Sequence, residues 1–145
     1  MDPGRSLALE TLDLLERRGG LRMDAVYARL FARAPETQAL LIGDLGEQMR
    51  SFAAVFAALA RNGVEPHRER LAALGARHAR IGVEAGDHDA LAAALLETIA
   101  EALGSDWTPA RGLALRALYN ETRRAMAGTR AMVGGERLEL PTSSV

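Results

Sequence analysis

His78 follows Leu71 and Leu74 by seven and four residues, so on a helix its imidazole shares their stripe. Two chemistries suit that placement. One is a core or half-exposed histidine held by a hydrogen bond. The other is an axial ligand to an iron in an apolar pocket, a neutral ring nitrogen supplying the lone pair. A ligating ring needs a partner for its other N–H, and the Leu74 carbonyl one turn earlier is the expected one. Tyr27 lies on an apolar stripe with Val26, Leu30 and Phe31, either as a packed aromatic or as a hydroxyl donor. Gln48 opens a long apolar-striped segment, either as a solvated residue or as an amide donor. Two neutral donors facing an apolar cavity opposite a histidine would form a site; singly they say little.

Apolar residues recurring every three or four positions predict the helices that must carry these groups. The first covers about Ser6 to Arg18 and stops at Gly19-Gly20; the second covers Met23 to Ala34 and is cut by Pro35. Glu36 to Leu41 reads as a short helical piece. A long helix from Leu45 to Asn62 turns Gln48, Phe52, Val55 and Leu59 inward. After a turn at residues 62–66, Pro66 to Ala79 carries His78, and His67 at its start reads as exposed. A corner at Gly82 to Gly86 precedes a helix over Ala90 to Leu103, with Asp87 as its expected N-cap. Thr108-Pro109 starts a last helix that runs to Ala127. Residues 1–127 thus form one domain, and Gly128 to Val145 reads as a mobile tail.

Composition agrees. The 145 residues include 28 Ala and 22 Leu against 16 Val, Ile and Thr together, a balance that predicts an all-α fold. Cysteine is absent, which excludes disulfides, thiolate metal sites and a Cys nucleophile. The 18 basic residues, all Arg, meet 19 acidic ones; a net charge of −1 argues against nucleic-acid binding. No segment approaches the roughly 20 apolar residues a membrane span requires. A cytoplasmic protein with no membrane partner is expected.

The order of these residues resembles that of a bacterial single-domain globin, similar to the haem domain of flavohaemoglobins. The likeness runs from about Leu9 to Met126. It is carried by Val26-Tyr27-Ala28-Arg29-Leu30-Phe31, Pro35-Glu36, Gln48, Leu74-Gly75-Ala76-Arg77-His78, Gly82-Val83, Ala102-Leu103-Gly104 and Trp107-Thr108-Pro109. The resemblance implies a globin fold of six longer helices plus short helical pieces around a haem pocket. It makes His78 the proximal ligand to the iron of haem b, Tyr27 and Gln48 the distal pair, and Leu74 and Val83 packing groups beside the macrocycle. Without a Cys-x-x-Cys-His segment the group cannot be attached through thioethers. Ferrous iron places partial negative charge on dioxygen, so each distal donor contributes about 1.5–3 kcal/mol and slows escape roughly tenfold to a hundredfold.

Three positions depart from that pattern. Leu41 stands where the family carries a phenylalanine stacked on the haem, and Phe52 stands where it carries a smaller aliphatic residue; we expect Phe52 to fill part of the volume Leu41 leaves. His88 occupies a place where relatives often carry tyrosine near the proximal side, and reads either as such a residue or as an exposed first-turn histidine. Arg77 and Arg80 flank His78 as solvated groups or as partners for propionates. The functional expectation is binding of dioxygen, nitric oxide or carbon monoxide for storage, scavenging or sensing, by a monomer or homodimer. The alternatives are a nitric oxide dioxygenase served by a separate reductase, and a haem-free globin-like interaction module.

Overall fold

A computed structural model of the chain describes residues 2–40 and 44–128. Leu41 and the segment from Thr129 to Val145, which holds nearly all of the expected tail, lie outside the described residues. Six α-helices form: α1 (Pro3–Arg17), α2 (Met23–Arg33), α3 (Leu45–Asn62), α4 (Arg68–Arg80), α5 (Ala85–Leu103) and α6 (Pro109–Met126). Short 3-10 segments, Pro35–Leu40, Glu65–His67 and Gly104–Asp106, fill three of the connections. No strand occurs among the described residues.

Each helix start has a local cause. Thr108 Oγ1 accepts the Arg111 amide at 3.2 Å with Pro109 in the first turn, as the sequence predicts. The same device opens α1 three residues earlier than expected: Asp2 Oδ1 accepts the Arg5 amide at 2.9 Å ahead of Pro3. Asp44 caps α3 through the Glu47 amide at 3.2 Å. The expected start of the fifth helix at Ala90, capped by Asp87, is wrong by five residues. Glu84 is the N-cap, and Asp87 is the third helical residue of a capping box, its Oδ2 accepting the Glu84 amide at 2.9 Å. That reciprocal pair satisfies two orphan donors and carries the helix through Gly86.

The helices pack as crossed layers. α1 lies on α6 and α3, α2 on α5, and α4 on α6, while α5 also meets α6. Leu15, Val26, Leu59, Leu95, Ile99, Leu103 and Leu115 are fully enclosed between them. Two polar groups key these layers. Arg111 on α6 donates to Thr11 Oγ1 at 2.9 Å and to Glu10 at 3.2 Å on α1, and Thr11, itself fully buried, donates on to Leu7 O at 2.7 Å. Arg29 on α2 donates to Thr98 Oγ1 at 2.7 Å and to Glu101 at 2.6 Å on α5. A charged donor with a buried hydroxyl acceptor is stronger than a neutral pair, so both links resist sliding of the helices.

Along α3 the inward set differs from expectation. Val55 is 42% exposed, and Phe56 takes its place in the core at 3%. The buried stripe is Phe56, Leu59 and Ala60, with Phe52 half-buried and stacked on Phe56 at a centroid distance of 5.9 Å. Among the described residues no helix is long and apolar enough to cross a membrane.

Candidate functional site

The residues singled out by sequence fall on two groups of elements. Tyr27 on α2 and Gln48 and Phe52 on α3 belong to helices that pack on one another. Leu74 and His78 lie on α4, and Val83 follows in the corner after it. α4 rests on α6. Where the two groups approach, the end of the Pro35–Leu40 segment meets the corner after α4: Leu40 Cδ2 lies 3.7 Å from where a Cβ on Gly82 would stand. Gly82 adopts φ +99°, a left-handed conformation that ends α4 cheaply only with glycine.

Tyr27 is 7% exposed and stacked on Phe31 at 6.0 Å. Burial pushes its hydroxyl pKa above the usual value, so it remains a donor at neutral pH. No protein group hydrogen-bonds its hydroxyl among the described residues, and that oxygen is not sealed in. Gln48, in the first turn of α3, is half-buried.

His78 is half-buried, and burial foremost, then His88 and Arg77, holds its pKa below the usual value. A neutral ring with a lone pair follows at pH 7. The Leu74 hydrogen bond expected from the sequence does not form: Nδ1 is enclosed with no protein partner among the described residues. An enclosed, unpaired ring nitrogen costs about 1–3 kcal/mol, so this imidazole is not an ordinary satisfied core histidine. The His78 carbonyl accepts the Val83 amide at 3.0 Å, tying the corner back to the helix. Leu74 and Val83 are half-buried, and Arg77 and Arg80 are exposed and form no ion pair among the described residues.

His88 is half-buried, its ring centroid 6.3 Å from that of His78. Burial foremost, then Arg123, lowers its pKa, against smaller opposing effects of Asp87 and Asp89. His67, expected to be exposed, is half-buried with Nε2 enclosed, because the Glu65–His67 turn packs on α4. Sequence reasoning passed over Tyr119. It lies on the buried stripe of α6 beside Leu115 and Leu118, and its hydroxyl donates to the His88 carbonyl at 3.1 Å. A phenol on an apolar stripe, the signal that picked out Tyr27, would also have found it. Burial raises its pKa strongly, so it stays protonated. A separate cleft of about 250 Å³ between α1 and α3, lined by Leu9, Leu12, Leu21, Ala53 and Phe56 among others, contains none of the site residues.

Among the described residues the fold is all-helical, with the histidine on α4, the tyrosine on α2 and the glutamine on α3. The family model for globins matches residues 24–126, and the chain belongs to the globin family. Membership carries haem-based gas binding in general. No curated protein matches the chain.

Proposed function

We propose that this chain binds haem b through His78 and captures a diatomic gas, dioxygen first, between the haem and the Tyr27–Gln48 side, for storage, scavenging or sensing. The observation that carries this reading is the state of His78. It is a half-buried, neutral imidazole with one nitrogen enclosed and, among the described residues, neither nitrogen bonded to protein. The residues present fit the group: the chain has no thiol to compete, and among the described residues an N-donor is free and Arg77 and Arg80 are unpaired.

Haem, when bound, supplies an iron that takes up the gas. His78 anchors that iron, and the half-buried Leu74, Val83 and Phe52 offer apolar area against the ring system. Leu41 would join them and lies outside the described residues. Tyr27 O–H and Gln48 N–H are the donors for a ligand that gathers negative charge, at about 1.5–3 kcal/mol for such a bond. Neither titrates near neutrality, so capture is insensitive to mild acid as long as the fold holds.

Ultraviolet–visible spectra of ferric, ferrous and carbonyl forms of the wild type and His78→Ala test the reading. A strong band near the blue edge of the visible in the wild type, with axial-ligand features lost in the mutant, is expected. Unaltered spectra in His78→Ala, or a colourless wild type purified with haem supplied, would sink it; the second result leaves a haem-free interaction module. Sustained nitric oxide consumption with a reductant, in place of a single stoichiometric event, would instead establish a dioxygenase working with a separate reductase.

A further inference from the structure

The enclosed Nδ1 of His78 has a second imidazole for its neighbour. The His88 ring is tilted 49° to it at a centroid distance of 6.3 Å. His88 is also held in place. Its carbonyl accepts from Tyr119 Oη at 3.1 Å, and its amide donates to Glu84 O at 3.3 Å.

The charged groups around His88 are already engaged. Asp87 accepts the Glu84 amide at 2.9 Å, and Asp89 pairs with Arg123 at 2.6 Å. Neither ring nitrogen of His88 is bonded to protein among the described residues. A neutral imidazole offers one lone-pair nitrogen, which is what an unpaired N–H in the same enclosure requires. The hydrogen bond that the Leu74 carbonyl does not supply therefore has a neighbouring acceptor in His88.

We propose that His88 is the positioning residue for His78: it accepts the Nδ1 proton when the two rings close on each other, and so keeps the lone pair on Nε2, the nitrogen left for a ligand. Hydrogen bonding at the far nitrogen fixes the tautomer and orientation of a ligating histidine and raises its basicity. The effect on haem rests on the proposed role of His78, whereas the hydrogen bond itself does not.

The test uses the full chain as wild type, His88→Phe (a ring without an acceptor) and His88→Gln (acceptor restored), with folding checked by circular dichroism; His88→Leu replaces the Phe variant if that one does not fold. In the haem-free chain, side-chain ¹H–¹⁵N correlation spectra should place the proton of His78 on Nδ1 in the wild type and His88→Gln, and shift it toward Nε2 in His88→Phe. In the ferrous, haem-loaded protein the iron–histidine stretching frequency should fall in His88→Phe and return in His88→Gln, with haem affinity weakened roughly 10- to 100-fold in the former. A His78 tautomer that ignores the loss of His88, or a loss that Gln does not rescue, overturns the proposal. A tautomer that follows His88 while His78→Ala keeps its axial spectra upholds the hydrogen bond and overturns the ligand reading alone.

Discussion

A Cβ on Gly75 would stand 1.8 Å from the Met126 carbonyl oxygen, so α4 and α6 touch backbone to backbone where they cross. That contact supports α4, which otherwise rests on the short Glu65–His67 turn, and so sets where His78 stands. Gly75→Ala should force the helices apart. The expected loss is about 3 kcal/mol, the upper part of the overpacking range, or roughly 10 °C in melting temperature. Thermal unfolding followed by circular dichroism checks it, and an unchanged melting temperature would mean that the two backbones do not meet.

Tyr27→Phe separates a functional hydroxyl from a structural one. The hydroxyl has no protein partner, so the melting temperature should stay within a degree or two of wild type. Dioxygen escape from the loaded protein should accelerate roughly tenfold to a hundredfold, the equivalent of one charge-assisted hydrogen bond. Stopped-flow displacement by carbon monoxide measures the rate. Escape at the wild-type rate would remove Tyr27 from the gas site.

Arg111→Met removes the donor that links α6 to Thr11 and Glu10 while keeping much of the side chain's packing. Thr11 retains its bond to Leu7 O, so no buried hydroxyl is orphaned and the expected cost is about 1–2 kcal/mol. Urea unfolding should show a lower midpoint with an unchanged slope. A changed slope would point instead to rearranged α1–α6 packing.

Acid should destabilise the chain before any effect on gas capture. His78 and His88 both have folded-state pKa values below the unfolded value of about 6.5. Between those two values the unfolded chain binds more protons, so stability is fully present above pH 6.5 and declines as the pH falls below it. Melting temperatures at pH 7.5, 6.5 and 5.5 should fall in that order, less steeply in His88→Gln. A flat profile would place both rings in water.

How far the sequence is legible depends on the range of the interaction. The helices around Tyr27, Gln48 and His78, and the Thr108-Pro109 start, follow from periodicity and local capping within one or two turns of chain. The start of α5 was missed because an acidic N-cap reciprocating with Asp87 leaves no apolar mark in the first turn. On α3 the choice of Phe56 over Val55 was also beyond reach. The two lie 100° apart on the helix, and only contact with neighbouring helices, α1 and α2, decides which is inside.

By itself the chain of 145 residues determines an all-helical globin fold and the order of its polar groups along apolar stripes, since both rest on spacing between near neighbours. Only the tertiary structure decided that Nδ1 of His78 lacks its expected carbonyl, and that His88 stands beside it with Tyr119, 31 residues further on, bonded to its backbone. Those relations depend on how α4, α5 and α6 cross. A crossing is set by summed side-chain volume and by one missing Cβ at Gly75, quantities that no local pattern encodes.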